Sequence, residues 1–165
     1  MLIVRPAVPA DEPGWTRLWD ESARAAFAPL LPQGHVFPEA DAERWHANYA
    51  GPGVTVLVAE DDGELLGFTG CGESRDPDAG SEAGEINTFY VAAGRWGRGV
   101  GRALMEAALD DLEARGYAEA TVWSFADNDR ANAFYESHGF TRDGAERREE
   151  QWADIPEIRY RRALP

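Results

Sequence analysis

Residues 94–102 read GRWGRGVGR. Gly97, Gly99 and Gly101 remove side chains where a ligand must come close to the main chain. The segment opens a helix, whose first amide N–H groups have no intrahelical partner and suit a phosphate. Arg95, Arg98 and Arg102 add positive charge with no acid inside the segment. The chemistry this favours is the holding of a polyphosphate. The spacing fits neither a P-loop, which needs a lysine, nor a GxGxxG fingerprint. A tight strand-to-helix turn whose glycines serve packing is the other reading. Nucleophilic chemistry has little to stand on. Cys71 has no motif partner among His35, His46 and His138 to lower its pKa, so it reads as a small buried hydrophobe. No Cys/His cluster has metal-ligand spacing, and no metal is expected.

The elements around this turn alternate. Residues 2–8 read as a strand, Asp11 to about Ala26 as a helix stopped by Pro29 and Pro32, and residues 38–49 as a second helix. VTVLVAED (54–61) and ELLGFTGCGE (64–73) form a hairpin across Asp62-Gly63. Residues 74–84 are Gly/Pro/Ser/Asp-rich loop. EINTFYVAA (85–93) is a strand that leads into the glycine-rich turn. Residues 99–115 form the clearest helix, with Val100, Leu104, Ala108 and Leu112 on one face. EATVWSFA (119–126) is a strand, 130–137 a short helix, and strand signals at 140–142 and 158–163 flank an acidic linker. One mixed α/β domain over residues 1–165 fits this order.

Composition narrows the function. Of 165 residues 44% are hydrophobic and 28% charged, as expected of a folded globular chain. No apolar run approaches the ~20 residues of a membrane span, and the first residues lack the pattern of a signal peptide. A cytoplasmic location is expected, with no membrane partner. Thirty acids against sixteen bases, all arginine, give a net charge of −14. Such a surface repels nucleic acid and attracts cations.

A second motif follows some thirty residues after the first: NDRANAFYESHGF, 128–140. The pair, a strand ending in a glycine-rich turn and helix, then a strand and N-x-x-A-x-x-F-Y-x-x-x-G-F, resembles the GNAT acyltransferase superfamily. The element order over residues 2–163 resembles it too. The resemblance implies a GNAT fold, a central and mostly antiparallel sheet with splayed fourth and fifth strands and helices on both faces. It also implies an acetyl-CoA-dependent N-acetyltransferase of the EC 2.3.1 class, with acetyl-CoA as cosubstrate. By similarity the backbone of Phe89, Tyr90 and Val91 pairs with the pantetheine arm, and an amide there faces the oxyanion. Gly97, Arg98, Gly99, Val100, Gly101 and Arg102 would hold the pyrophosphate, and Asn128 would contact the cofactor. Tyr135 matches the family's general acid, and Glu85 a general base that acts directly or through a water held near Asn87 and Thr88. One position departs: Trp96 stands where the family's signature has Gln or Arg.

The acceptor pocket is expected from residues 24–50 and the loop 142–157. The first holds Phe27, Leu30, Leu31, His35, Phe37, Trp45 and Tyr49, and the second Glu146, Glu149, Glu150 and Asp154. Aromatic walls with acids nearby would favour a small, cationic amine. A protein or peptide acceptor, a non-catalytic CoA-binding sensor and an unrelated phosphate-binding domain are the competing classes. A homodimer is compatible with the sequence.

Overall fold

The computed structural model describes residues 1–48 and 51–165, and of Arg44, Ala47 and Asn48 the backbone alone. Its centre is a sheet of seven strands: β1 (Ile3–Pro6), β2 (Val54–Asp61), β3 (Glu64–Glu73), β4 (Ala83–Val91), β5 (Glu119–Phe125), β6 (Thr141–Arg147) and β7 (Glu157–Ala163). They lie in the order β1-β2-β3-β4-β5-β7-β6. The β-branched run of β2 turns at Asp62 and Gly63, both at positive φ, into β3. That mirror-image turn matches the right-handed twist of paired strands. Every neighbouring pair is antiparallel except β4 and β5. A parallel pair needs a crossover, here the helix α3 (Val100–Ala114).

The helices cover both faces because their apolar stripes do. On one face Trp15, Leu18, Trp19 and Ala23 of α1 (Glu12–Phe27) and Trp45 of α2 (Ala42–Asn48) pack on Val56, Val58, Phe68 and Phe125. On the other, Met105, Ala108 and Leu112 of α3 and Tyr135 of α4 (Asp129–Ser137) pack on Cys71, Ile86, Val122 and Tyr160. The sheet thus separates an α1 side from an α3/α4 side.

The sheet opens in one place. β4 pairs with β5 only from Ala83↔Glu119 to Ile86↔Val122. On its other edge the register slips at the same point: Ile86 faces Cys71 while Thr88 faces Gly70, so Asn87 is an extra residue. Such a bulge bends its strand and increases the local twist. Beyond it, Asn87–Val91 and Trp123–Phe125 run on without pairing to each other. A Cβ on Gly70 would sit 2.6 Å from Asn87 Oδ1 and 2.8 Å from Thr88 Oγ1, so both bulge side chains lie over that glycine.

Three expectations need correction. The second helix covers Ala42–Asn48, not 38–49, because the preceding segment turns back so that His35 and Phe37 pack their rings against Trp152; Tyr49 lies outside the described residues. The acidic linker after residue 142 is in part β6, whose polar sequence suits an exposed sheet edge. The fourth strand begins two residues early, at Ala83.

Candidate functional site

A cavity of about 930 Å³ occupies the opening between β4 and β5 and reaches both sides of the sheet. Strand alternation divides its walls. Phe89 turns to the α3/α4 side, against Phe134 and Tyr135, while Tyr90 packs on the α1 side against Trp19 and Phe27.

On the α3/α4 side the wall is the glycine-rich turn and the start of α4. Gly97 and Gly99 sit at φ 72° and 87°, where only glycine is unstrained, and nothing lies within 4 Å of where their Cβ atoms would be. Gly99 precedes α3, and no side chain caps that helix, so its first amides are left for a ligand. Gly101 is small for a different reason, since a Cβ there would press on the Phe134 ring at 3.3 Å. Arg95 and Arg102 line the cavity but are ion-paired, to Glu64 and Glu106 respectively. Two expected contacts change. Arg98 is exposed and does not line the cavity, and Val100 is buried against Leu57, Leu66 and Leu104, leaving only its backbone to face a ligand. Asn128 lines the cavity and caps α4, its Oδ1 accepting from the Ala131 amide at 3.3 Å.

Tyr135 is 6% exposed and lines the cavity. Its hydroxyl has no hydrogen-bond partner among the described residues, and burial raises its pKa well above the ordinary phenol value. It therefore keeps its proton at neutral pH. Glu85, on the face opposite Ile86, is 4% exposed rather than a solvent-facing strand start. Its Oε2 accepts from the Arg75 amide at 2.9 Å and from the Ser74 hydroxyl at 3.4 Å. Burial, with a further contribution from Asp76, pushes its pKa up; the Arg75 amide and the Arg75 and Arg147 charges pull the other way. The result is a carboxylate more basic than usual, at the cavity wall.

Of the expected acceptor residues, Phe27 and Glu149 line the cavity, whereas Leu31 and Trp45 are core and Glu146, Glu150 and Asp154 lie elsewhere. The α1-side wall instead includes Arg75, Asp76, Trp123, Arg147, Trp152 and Glu157. Trp123 Nε1 donates to Asp76 at 2.9 Å, and its ring lies 4.4 Å from the Arg147 guanidinium. These residues come from the loop after β3, from β5, from β6, from the turn at Glu150–Trp152 and from β7, so spacing alone does not group them. Arg130 was also missed, although it stands inside the second motif; the structure places it in the cavity wall with its guanidinium 4.0 Å over the Trp96 ring.

The fit to acetyl-CoA follows from these features: an unpaired β4 edge for an extended arm, and an uncapped helix start behind open glycines for phosphates. Among the described residues no group of three or more His, Cys, Asp or Glu could hold a metal.

Comparison with known proteins agrees. The chain is 39% identical over 133 residues to a mycothiol acetyltransferase of Beutenbergia cavernae, a match spanning 80% of this chain but 42% of that relative. The chain thus spans less than half the length of that relative. In three dimensions it resembles the ribosomal-protein-alanine N-acetyltransferase of Brucella melitensis (TM-score 0.77, 22% identity, covering 98% of this chain and 99% of that one). It also resembles the PaiA N-acetyltransferase of Thermoplasma acidophilum in complex with coenzyme A (TM-score 0.76, 15% identity, 99% of each chain). At these identities the two structures show a shared fold. The profile described as Acetyltransferase (GNAT) family matches residues 15–140, and with the split sheet, the glycine-rich turn and the motif at 128–140 in place, the chain belongs to that family.

Proposed function

We propose that this protein is an acetyl-CoA-dependent N-acetyltransferase whose acceptor is the amine of a small, cationic molecule. The observation that carries the reading is the cavity through the split sheet, with buried Glu85 on the α1 side and Tyr135 on the α3/α4 side. Sequence relatives named as mycothiol acetyltransferases, and not as protein or peptide acetyltransferases, support that acceptor class.

When bound, acetyl-CoA supplies an acetyl group already activated as a thioester. The protein's part is to align and to move protons. The amides of the α3 start and the Gly97–Gly99 turn hold phosphate, and the free edge of β4 fixes the extended arm. A backbone N–H on that edge donates to the thioester carbonyl oxygen, where negative charge develops. The Glu85 carboxylate takes the proton from the acceptor amine, and its raised pKa makes it a stronger base than an exposed glutamate. Tyr135 Oη donates a hydrogen bond to the departing sulfur, a thiol with an ordinary pKa near ~8.5. On the acceptor side four acids, Asp76, Glu85, Glu149 and Glu157, outnumber Arg75 and Arg147 at the wall, an excess that remains after Arg147 pairs with Glu149 and Glu157 and that favours a cation.

The test is titration calorimetry with acetyl-CoA beside ATP, followed by steady-state assay of wild type and Tyr135→Phe on small amines and on peptides. Wild type should bind acetyl-CoA and not ATP, and Tyr135→Phe should lose about 10²-fold in kcat with little change in cofactor affinity. Equal turnover removes Tyr135 as the acid. Efficient use of peptides over small amines overturns the acceptor class.

A further inference from the structure

The family signature opens on a Gln or Arg, and here that position is Trp96. Trp96 points its indole back at the sheet: Nε1 donates to the Val91 carbonyl, the last residue of β4, at 3.0 Å. This fixes the ring at the cavity wall, and the Arg130 guanidinium lies over it at 4.0 Å. Arg130 is the second residue of α4, at the positive end of that helix, where a cation is electrostatically misplaced. It has no carboxylate partner among the described residues, in a chain with thirty acids. Its neighbours on the wall, Arg95 and Arg102, are both paired. A planar guanidinium stacked on an indole keeps its edge N–H groups free for an anion.

Resting on the function proposed above, we infer that Trp96 and Arg130 together replace the missing signature side chain: the cation that faces the CoA diphosphate comes from α4, and Trp96 is the platform that presents it. Three features point to an anion at this spot. They are the unpaired cation, its placement at a helix start, and its nearness to the uncapped α3 turn through Trp96. Trp96 belongs to the turn itself, directly before Gly97 and three residues before Gly99, the positive-φ glycine that opens α3, which favours the diphosphate over the 3′-phosphate as the group contacted.

Calorimetric titration of coenzyme A and of 3′-dephospho-coenzyme A into wild type, Arg130→Gln, Arg130→Lys and Trp96→Leu tests this without any turnover. Arg130 is exposed, so its substitution should leave the thermal midpoint in place. Arg130→Gln should weaken both ligands about 10-fold or more, the loss expected for a charge-assisted contact. Its binding should also depend less on salt than that of wild type. Arg130→Lys should recover part of the loss, and Trp96→Leu should weaken both ligands while Arg130 is still present. Unchanged affinity in Arg130→Gln beside a wild type that binds overturns this inference and leaves the proposed function standing. A loss seen with coenzyme A alone moves the contact to the 3′-phosphate and overturns the diphosphate assignment. A wild type that binds neither ligand overturns both.

Discussion

Glu85 shows how burial raises the basicity of a common residue. Its carboxylate is held above its ordinary pKa mainly by burial and partly by Asp76, against the pull of Arg75 and Arg147. Two outcomes follow, in opposite directions. As a base it must be ionised, so kcat/KM should fall on the acid side with a midpoint above the ordinary glutamate range. Glu85→Gln should remove that limb and lower kcat about 10²-fold. For stability the sign reverses. A carboxyl whose folded pKa exceeds its unfolded pKa contributes most below the unfolded value, and that contribution is lost as pH rises through the folded value. Gln can still accept from the Arg75 amide without the buried charge. Thermal melts at neutral pH should therefore show Glu85→Gln above wild type, and the gap should close on acidification. A variant that melts below wild type at neutral pH would argue against the buried charge.

The element that makes a site possible is the bulged β4. Its extra residue, Asn87, coincides with the end of pairing to β5, and Gly70 on β3 leaves room for the Asn87 and Thr88 side chains. Gly70→Ala should force both apart, because its Cβ would stand 2.6 Å from Asn87 Oδ1. The expected cost is about 1–3 kcal/mol, the range for overpacking, read from urea unfolding, with weaker acetyl-CoA binding by calorimetry. The turn after β4 and the helix α3 were legible beforehand because glycine spacing and i+4 apolar spacing are local. The end of β4–β5 pairing was expected only through family resemblance, since no single residue in either strand announces it.

At the scale of the molecule, one buried arginine ties the α1-side wall of the cavity together. Arg159 on β7 is 5% exposed and pairs with Asp76 at 3.0 Å, Asp78 at 2.7 Å and Asp143 at 2.6 Å. Asp78 is mostly exposed and adds little, but Asp76 is as buried as Arg159 and also accepts from Trp123. This anchors the loop after β3 to β7, and that loop supplies the Arg75 amide to Glu85. Arg159→Met should cost about 3 kcal/mol, because it leaves a buried carboxylate without its partner. Denaturant unfolding measures this; a loss under about 1 kcal/mol would mean that water reaches Asp76 freely.

The sequence by itself determined the order of elements, the turn at Asp62-Gly63, the glycine-rich turn before α3 and the motif carrying Asn128 and Tyr135. Each is written in residues a few positions apart, where spacing dictates backbone and face. It did not determine the α1-side wall of the cavity. Asp76 lies 47 residues before Trp123, and Arg147 and Glu157 sit on two further strands, so only the fold sets them side by side. The same holds for Trp96 and Arg130: one reads as a departure from a signature and the other as a surface cation until the fold stacks them. Glu85 could be read as a strand residue, but its burial, and hence its basicity, depends on a loop fastened from β7. Local pattern fixes the scaffold, while charge and desolvation at the site depend on neighbours that tertiary structure alone supplies.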